Sequence, residues 1–269
     1  MNYYTIKPSP KLAPFVRFFW VLEDDLKFGE SFVHRSTADG CVEIVFHYRA
    51  RFDEIKATGE IDTSPLSSIQ AQSARFRRFV TNESFGMFGA YLYPYALTRL
   101  FCSPATDFTD LMPDLESALG PAGRRLESRM LSASGSAERV RIVTDFLERK
   151  LDANKRDLPS ISSAINTMIE AKGIVNIRDL AREHAISARQ FERKFKEFAG
   201  LSPKLYSRII RFQATTEYRS ARNKTLTEIA YDCGYYDQSH FINDFREFSG
   251  YTPKEYFRGE AEGTQYMAA

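Results

Sequence analysis

The stretch YDCGYYDQSHFINDFREFSGYTPKEYF, residues 231–257, has a fainter copy fifty residues upstream, ISARQFERKFKEFAGLSPKLY at 186–206. Aligned at that offset, the two agree at Phe191/Phe241, Phe195/Phe245, Glu197/Glu247, Phe198/Phe248, Gly200/Gly250, Pro203/Pro253, Lys204/Lys254 and Tyr206/Tyr256. The three Phe of each copy recur at i, i+4 and i+7, which places them on one face of a helix. Each Gly can end that helix in a left-handed conformation. Ser202-Pro203 and Thr252-Pro253 then set a capping hydroxyl before a first-turn proline, so a new helix begins.

Upstream of each copy lies a second, shorter helix with its own cap. Asn176 precedes Asp179 by three residues, and Thr225 precedes Glu228 by three, the latter as a capping box. Ile177, Leu180 and Ala181 answer to Leu226, Ile229 and Ala230 as the buried positions. Next come a tight turn (EHAIS or DCGYYD) and a new cap, Ser187 or Asp237. Each unit therefore reads as helix, turn, helix. A helical segment from Pro203 to about Arg219 joins them. At 1.5 Å per residue it spans roughly 25 Å, against ~34 Å between successive major-groove faces.

The faces opposite the Phe stripes carry the candidate contacts. Arg189, Glu192, Arg193 and Lys196 occupy the first, and Gln238, Ser239, Ile242, Asn243 and Arg246 the second. Arg reads guanine, Gln and Asn read adenine, and an exposed Ile meets a thymine methyl. An ordinary solvated face explains the Arg and Lys but not Ile242. Asp244, also on the second unit, is expected near the groove and weakens that unit's affinity for a polyanion.

Charge follows the repeat. Residues 1–172 hold 22 Lys+Arg and 22 Asp+Glu, whereas residues 173–258 hold 15 and 11, within a whole-chain net charge of +2. That modest local excess suits a polyanionic partner. Cys41, Cys102 and Cys233 show no metal-ligand spacing and read as reduced thiols. The N-terminus MNYYTIKPSP has no charged-then-apolar leader, and no apolar run approaches the ~20 residues of a membrane span. The expectation is a soluble cytoplasmic protein without a membrane partner.

The first half reads as β-rich, in FVRFFWVLE (15–23), CVEIVFHY (41–48), ARFRRFVTN (74–82) and FGMFGAYLYP (85–94), with ADG (38–40) and TNES (81–84) as turns. Helical patterns follow at Leu115–Leu119, Arg124–Leu131 and Ser136–Leu151. In the last, Val140, Val143, Phe146 and Leu147 form an apolar stripe that is expected to pair subunits into a homodimer. LDANKRDLPS (151–160) is the linker candidate. The expected organisation is a β-rich sensor or dimerisation domain at 1–155, a DNA-binding domain at 156–258 and a disordered tail at 259–269.

The segment from about Ile161 to Phe257 resembles the DNA-binding domain of the AraC/XylS family of bacterial transcription regulators, through EIAYDCGYYDQSHFINDFREFSGYTPKEY and LAREHAISARQFERKFKEFAGLSPKLY. One departure stands out: Ala185 occupies the turn position that the family usually fills with Gly, at a cost of roughly 1 kcal/mol if left-handed. The resemblance implies that Arg189, Glu192 and Arg193, and then Gln238, Ser239, Ile242 and Asn243, lie at base edges of double-stranded promoter or operator DNA. RNA polymerase is a plausible further partner. The first half, through PSPKLAPFVRFFW, ADGCVEIVFHY and GAYLYPYALTRLF, resembles a poorly characterised domain found ahead of such DNA-binding domains. It implies a cupin-like β-barrel followed by helices, which serves ligand sensing or dimerisation, with the effector unknown.

The fold class expected is therefore α+β: a β-barrel-like (cupin-like) domain with helices, then an all-α domain of two helix-turn-helix units joined by a helix. The rival reading is a cupin-like metal-dependent enzyme fused to a DNA-binding module. Metal sites need clustered His and carboxylates, yet His34 and His47 stand thirteen apart with no H-x-H pair. His240 packs or caps in the repeat. No glycine phosphate loop, nucleophile elbow or H-E-x-x-H occurs. Neither catalytic nor metal-binding residues, nor a cofactor, are assigned. Glu43 faces either a barrel interior, as a ligand contact, or solvent, and Trp20 is expected in the core.

Overall fold

Strands that are apolar on both faces belong between two layers, and three segments of the first half have that character. The structure, a computed structural model, describes residues 1–155, 160–220, 224–259 and 261–262. Nine strands are β1 (Asn2–Ile6), β2 (Val16–Asp24), β3 (Phe32–Ser36), β4 (Val42–His47), β5 (Asp53–Ile55), β6 (Ile61–Asp62), β7 (Ser67–Gln70), β8 (Arg77–Thr81) and β9 (Phe85–Leu92) among the described residues. They form two antiparallel sheets, ordered β1-β2-β9-β4-β7 and β3-β8-β5-β6. The barrel-like half is thus two facing sheets. Phe19, Val21, Ile44, Phe46, Phe88 and Ala90 belong to the large core that continues into the helices. The alternate residues Trp20, Leu22, Val45 and Met87 form a second core with Phe32, Phe52 and Phe79. Trp20 pairs with Gly89 across the β2–β9 ladder. A Cβ at Gly89 would lie 2.1 Å from the Trp20 indole, so the ring position requires glycine.

Four helices complete this half: α1 (Ala96–Phe101), α2 (Leu115–Leu119), α3 (Pro121–Ser132) and α4 (Ser136–Ala153). The stripe on α4 does not face a partner. Val143, Phe146 and Leu147 are buried within the chain, and Val140 packs against the same core. The expected dimer contact is therefore ordinary core, because α1 and α3 close over that face. Of the linker candidate, α4 takes residues up to Ala153, and 156–159 lie outside the described residues. The tail was expected to lack structure from 259. Instead Ala261 is buried and the Glu262 carboxylate meets Arg35 and Arg78 at 3.2 and 2.9 Å. Glu260 and residues 263–269 lie outside the described residues.

The second half is α5 (Ile161–Glu170), α6 (Ile177–Glu183), α7 (Ala188–Ala199), α8 (Pro203–Thr216), α9 (Leu226–Asp232), α10 (Gln238–Ser249) and α11 (Pro253–Arg258). The caps read from sequence are in place. Asn176, Ser187, Ser202, Thr225, Asp237 and Thr252 each accept a backbone N–H, and those of Ser187, Thr225 and Thr252 are full capping boxes. Phe191, Phe195, Phe198, Phe241, Phe245 and Phe248 are all buried. The repeat also reproduces its packing: Tyr206 meets Phe195 edge-on at 5.4 Å, and its counterpart Tyr256 meets Phe245 at 5.2 Å. The joining helix ends as α-helix at Thr216 and continues as a 3-10 turn, Glu217–Ser220.

Both turns need a left-handed residue at the same place. The second unit uses Gly234 at φ 73°, and the first holds Ala185 at φ 52°. Ala185 thus bears the strain that its β-carbon implies. Ala185→Gly should stabilise the protein slightly, by up to about 0.6 kcal/mol, the ~1 kcal/mol of relieved strain less the ~0.4–1 kcal/mol of added chain entropy. Gly234→Ala should cost about 1 kcal/mol or more, since its Cβ would also lie 2.9 Å from Ile174. Urea unfolding of the two variants checks the opposite signs.

Candidate nucleic-acid interface

The buried arcs of α7 and α10 leave their opposite faces to solvent. Arg189, Glu192, Arg193 and Lys196 on α7 are exposed, as are Gln238, Ser239, Asn243 and Arg246 on α10. Among the described residues none of Arg189, Arg193, Lys196 or Arg246 enters an ion pair. Their charge is available to an external anion.

Two residues of the second face lie elsewhere than expected. Ile242 is half-buried and packs against the large core. Asp244 is 1% exposed and accepts hydrogen bonds from Arg208 of α8 at 2.7 and 3.2 Å. The arc that α8 covers is wider than the Phe stripe alone, so Asp244 ties α10 to α8 and does not face a groove. Arg208 also reaches Glu247, at 2.6 Å. His240 lies at the edge of this cluster, 3.9 Å from Asp244. Tyr231, in the last turn of α9, and Tyr236, in the turn that follows, are 61% and 88% exposed and lie outside the Phe-stripe pattern of α10.

The C-terminal ends of both helices meet the first half of the chain. Gly200 and Gly250, the left-handed C-caps of α7 and α10, abut the first half of the chain. Thr109 donates to the Gly200 carbonyl at 3.0 Å, and Arg35 to that of Gly250 at 3.1 Å. Between them the loop after β3 docks on the helices. Ala38 donates its N–H to Phe248 O at 2.8 Å, Tyr206 donates to Gly40 O at 3.0 Å and Gln213 to Ala38 O at 2.5 Å. A Cβ at Gly40 would meet Ile210 at 2.7 Å, so the turn read at 38–40 is also a close contact between the two halves.

Beside that loop a cavity of about 290 Å³ opens between the sheets. Phe18, Trp20 and Tyr91 line it together with Asp39, Glu43 and Gln213. Glu43 therefore faces the interior, with Trp20 donating from Nε1 to its carboxylate at 3.1 Å. Asp39 accepts from the Tyr91 hydroxyl at 2.7 Å and from the Cys41 N–H at 3.0 Å. Burial, with the neighbouring Asp39 charge, pushes the Glu43 carboxyl up to about 8. His34 and His47 are held neutral by burial, down to about 4.

Residues 4–113 match the family described as "Domain of unknown function (DUF6597)", and residues 180–259 match the one described as "Helix-turn-helix domain". The regulator GbdR of Pseudomonas aeruginosa is 27% identical over 176 residues, 62% of this chain and 47% of its own. The activator RhaS of Escherichia fergusonii is 30% identical over 86 residues, 32% and 31% of the two chains. The chain thus spans less than half the length of these relatives. ToxT of Vibrio cholerae, in a structure at 1.65 Å, superposes with TM-score 0.50 at 12% identity, over 89% of this chain and 98% of that one, a likeness of fold.

Removing one partner of a buried ion pair strands the other. Arg208→Met should lower stability by roughly 3 kcal/mol through the orphaned Asp244, while Glu247→Gln, at an exposed pair, should cost under about 1 kcal/mol. Denaturant melts of both variants make the comparison.

Proposed function

We propose that this chain, whose C-terminal part is a helix-turn-helix domain of the AraC type, regulates transcription by reading double-stranded promoter DNA with α7 and α10 in two successive major grooves. The observation that carries the reading is the pair of matched faces, exposed and free of ion pairs, on helices whose opposite sides are buried against one shared helix. Arg189, Glu192, Arg193 and Lys196 read one half of the site. Gln238, Ser239, Asn243 and Arg246 read the other, with half-buried Ile242 at its margin. Relatives described as transcriptional regulators support the same reading, and we take the chain as a binding protein and not an enzyme.

In this reading residues 1–155 are a cupin-like sensor and residues 156–258 the DNA-binding domain. A small effector acts through the sensor, RNA polymerase is the partner met at the promoter, and the cytoplasm is the compartment. A homodimer would pair through a surface other than α4, whose stripe is spent on the core.

Because Arg and Lys neutralise phosphates, affinity for duplex DNA should fall steeply between about 50 and 200 mM salt. Arg193→Ala should relax preference at a guanine in one half of the site, at ~1–3 kcal/mol, and Asn243→Ala at an adenine in the other half. Selection from a randomised DNA library decides it. Overlapping altered positions, or a uniform loss of affinity without changed preference, would refute the two-groove reading.

A further inference from the structure

The cavity between the sheets combines three features that few neutral interiors share. Its wall is aromatic, formed by Phe18, Trp20 and Tyr91, with Phe18 and Tyr91 stacked at 4.9 Å. It holds two carboxyl groups, Asp39 and Glu43, and among the described residues neither enters an ion pair. The cations at the site are engaged by other groups. Arg35 also lines the cavity, but its terminal nitrogens donate to the Gly250 carbonyl and the Glu262 carboxylate. Arg17 donates to the Cys41 sulfur and lies over the Tyr91 ring.

We propose that this cavity binds a small organic ammonium ion, with the Glu43 carboxylate as its counter-charge and Trp20, Phe18 and Tyr91 as its aromatic wall. Aromatic faces attract cations through the ring quadrupole, more strongly when water is excluded. A carboxylate in such a pocket costs free energy until a cation pairs with it. The pocket is therefore more complementary to an ammonium ion than to any other charge type. An anion would face two carboxyl groups, and an apolar guest would leave both without a counter-charge. The volume, about 290 Å³, lies at the small end of the ~300–1,000 Å³ typical of ligand pockets. Trp20 is held for this role twice, by its hydrogen bond to Glu43 and by the missing side chain of Gly89.

The site also explains how an occupant would be felt by the DNA-binding half. Thr37 and Asp39, from the loop that docks on the helices, line the cavity, as does Gln213 of α8. A guest that fills it touches the loop and the helix that carries both recognition units. This part rests on the regulator reading, whereas ligand binding itself can be measured without DNA.

The chain has one Trp, so its fluorescence, excited selectively over Tyr, reports on the cavity. Choline and phenethylamine are titrated against their neutral counterparts 3,3-dimethylbutanol and 2-phenylethanol, with the thermal midpoint as a second readout. At least one ammonium probe should bind saturably and roughly tenfold or more tighter than its neutral counterpart. Glu43→Gln, checked for cooperative unfolding, should erase that preference. The proposal is overturned if neither ammonium probe binds up to roughly 10 mM, weaker than which recognition is not specific. It is equally overturned if the neutral counterparts bind as well, or if Glu43→Gln keeps the preference. Loss of DNA binding with intact ammonium binding would count against the regulator reading only.

Discussion

One helix makes the two units a single object. Tyr206 of α8 presents its ring to the edge of Phe195 in the first unit, and Phe212, six residues on, does the same to Phe245 in the second at 5.2 Å. Helices of seven to fourteen residues are marginal alone in water, so each unit depends on burial against this spine. The other sides of α8 are equally occupied. Ser207 donates to Gly173 O at 2.7 Å and so ties in the end of α5, Arg208 holds Asp244, and Gln213 reaches the first half of the chain. Both faces are oriented through this rod, and α7 is held in addition by α5 and by the 3-10 turn Ala105–Asp107 of the first half.

The same constraint separates residues that read from residues that hold. On α7 the covered arc is narrow, and seven polar residues remain outside it, Arg189, Glu192, Arg193 and Lys196 among them. On α10 the extra contact with Arg208 draws Asp244 inward and half-covers Ile242. An acidic group is thereby paired away from the exposed face. The exposed face of α10 keeps uncharged polar residues and one arginine, Arg246, so in the proposed reading it leans on hydrogen bonding to bases more than on charge.

The first half of the chain grips this object at equivalent points of the repeat. Gly200 and Gly250 end their helices in left-handed turns, and the bare backbone there lets Thr109, Gln72, Phe76 and Arg35 approach. Gly40 allows the docking loop to lie against Tyr206 and Ile210. The cavity shares that loop, so a molecule bound there would lie beside the contact between the two halves without any long-range relay.

Local signals made the helical half legible from sequence: caps, a three-Phe period and terminal glycines act within one or two turns. Even Ala185 was readable as a strained turn, because the family that the segment resembles usually places Gly at that position. The four strong strands were legible as well, whereas β1, β3, β5, β6 and β7 were not: the first four are short and partly at the surface, and β7 is buried but short and largely polar. Which side of β2, β4 and β9 faces the cavity could not be read, since both faces are apolar and alternation carries no sign; Glu43 was open for that reason. The sequence by itself determined two matched helix-turn-helix units and their candidate readers, because those depend on neighbours along the chain. Only the tertiary structure decided that Asp244 holds instead of reading, that the α4 stripe is core, that residue 262 is anchored, and that an acidic aromatic cavity abuts α8. Each of these depends on a surface supplied by a distant segment, and helical or strand periodicity contains no information about which segment will cover it.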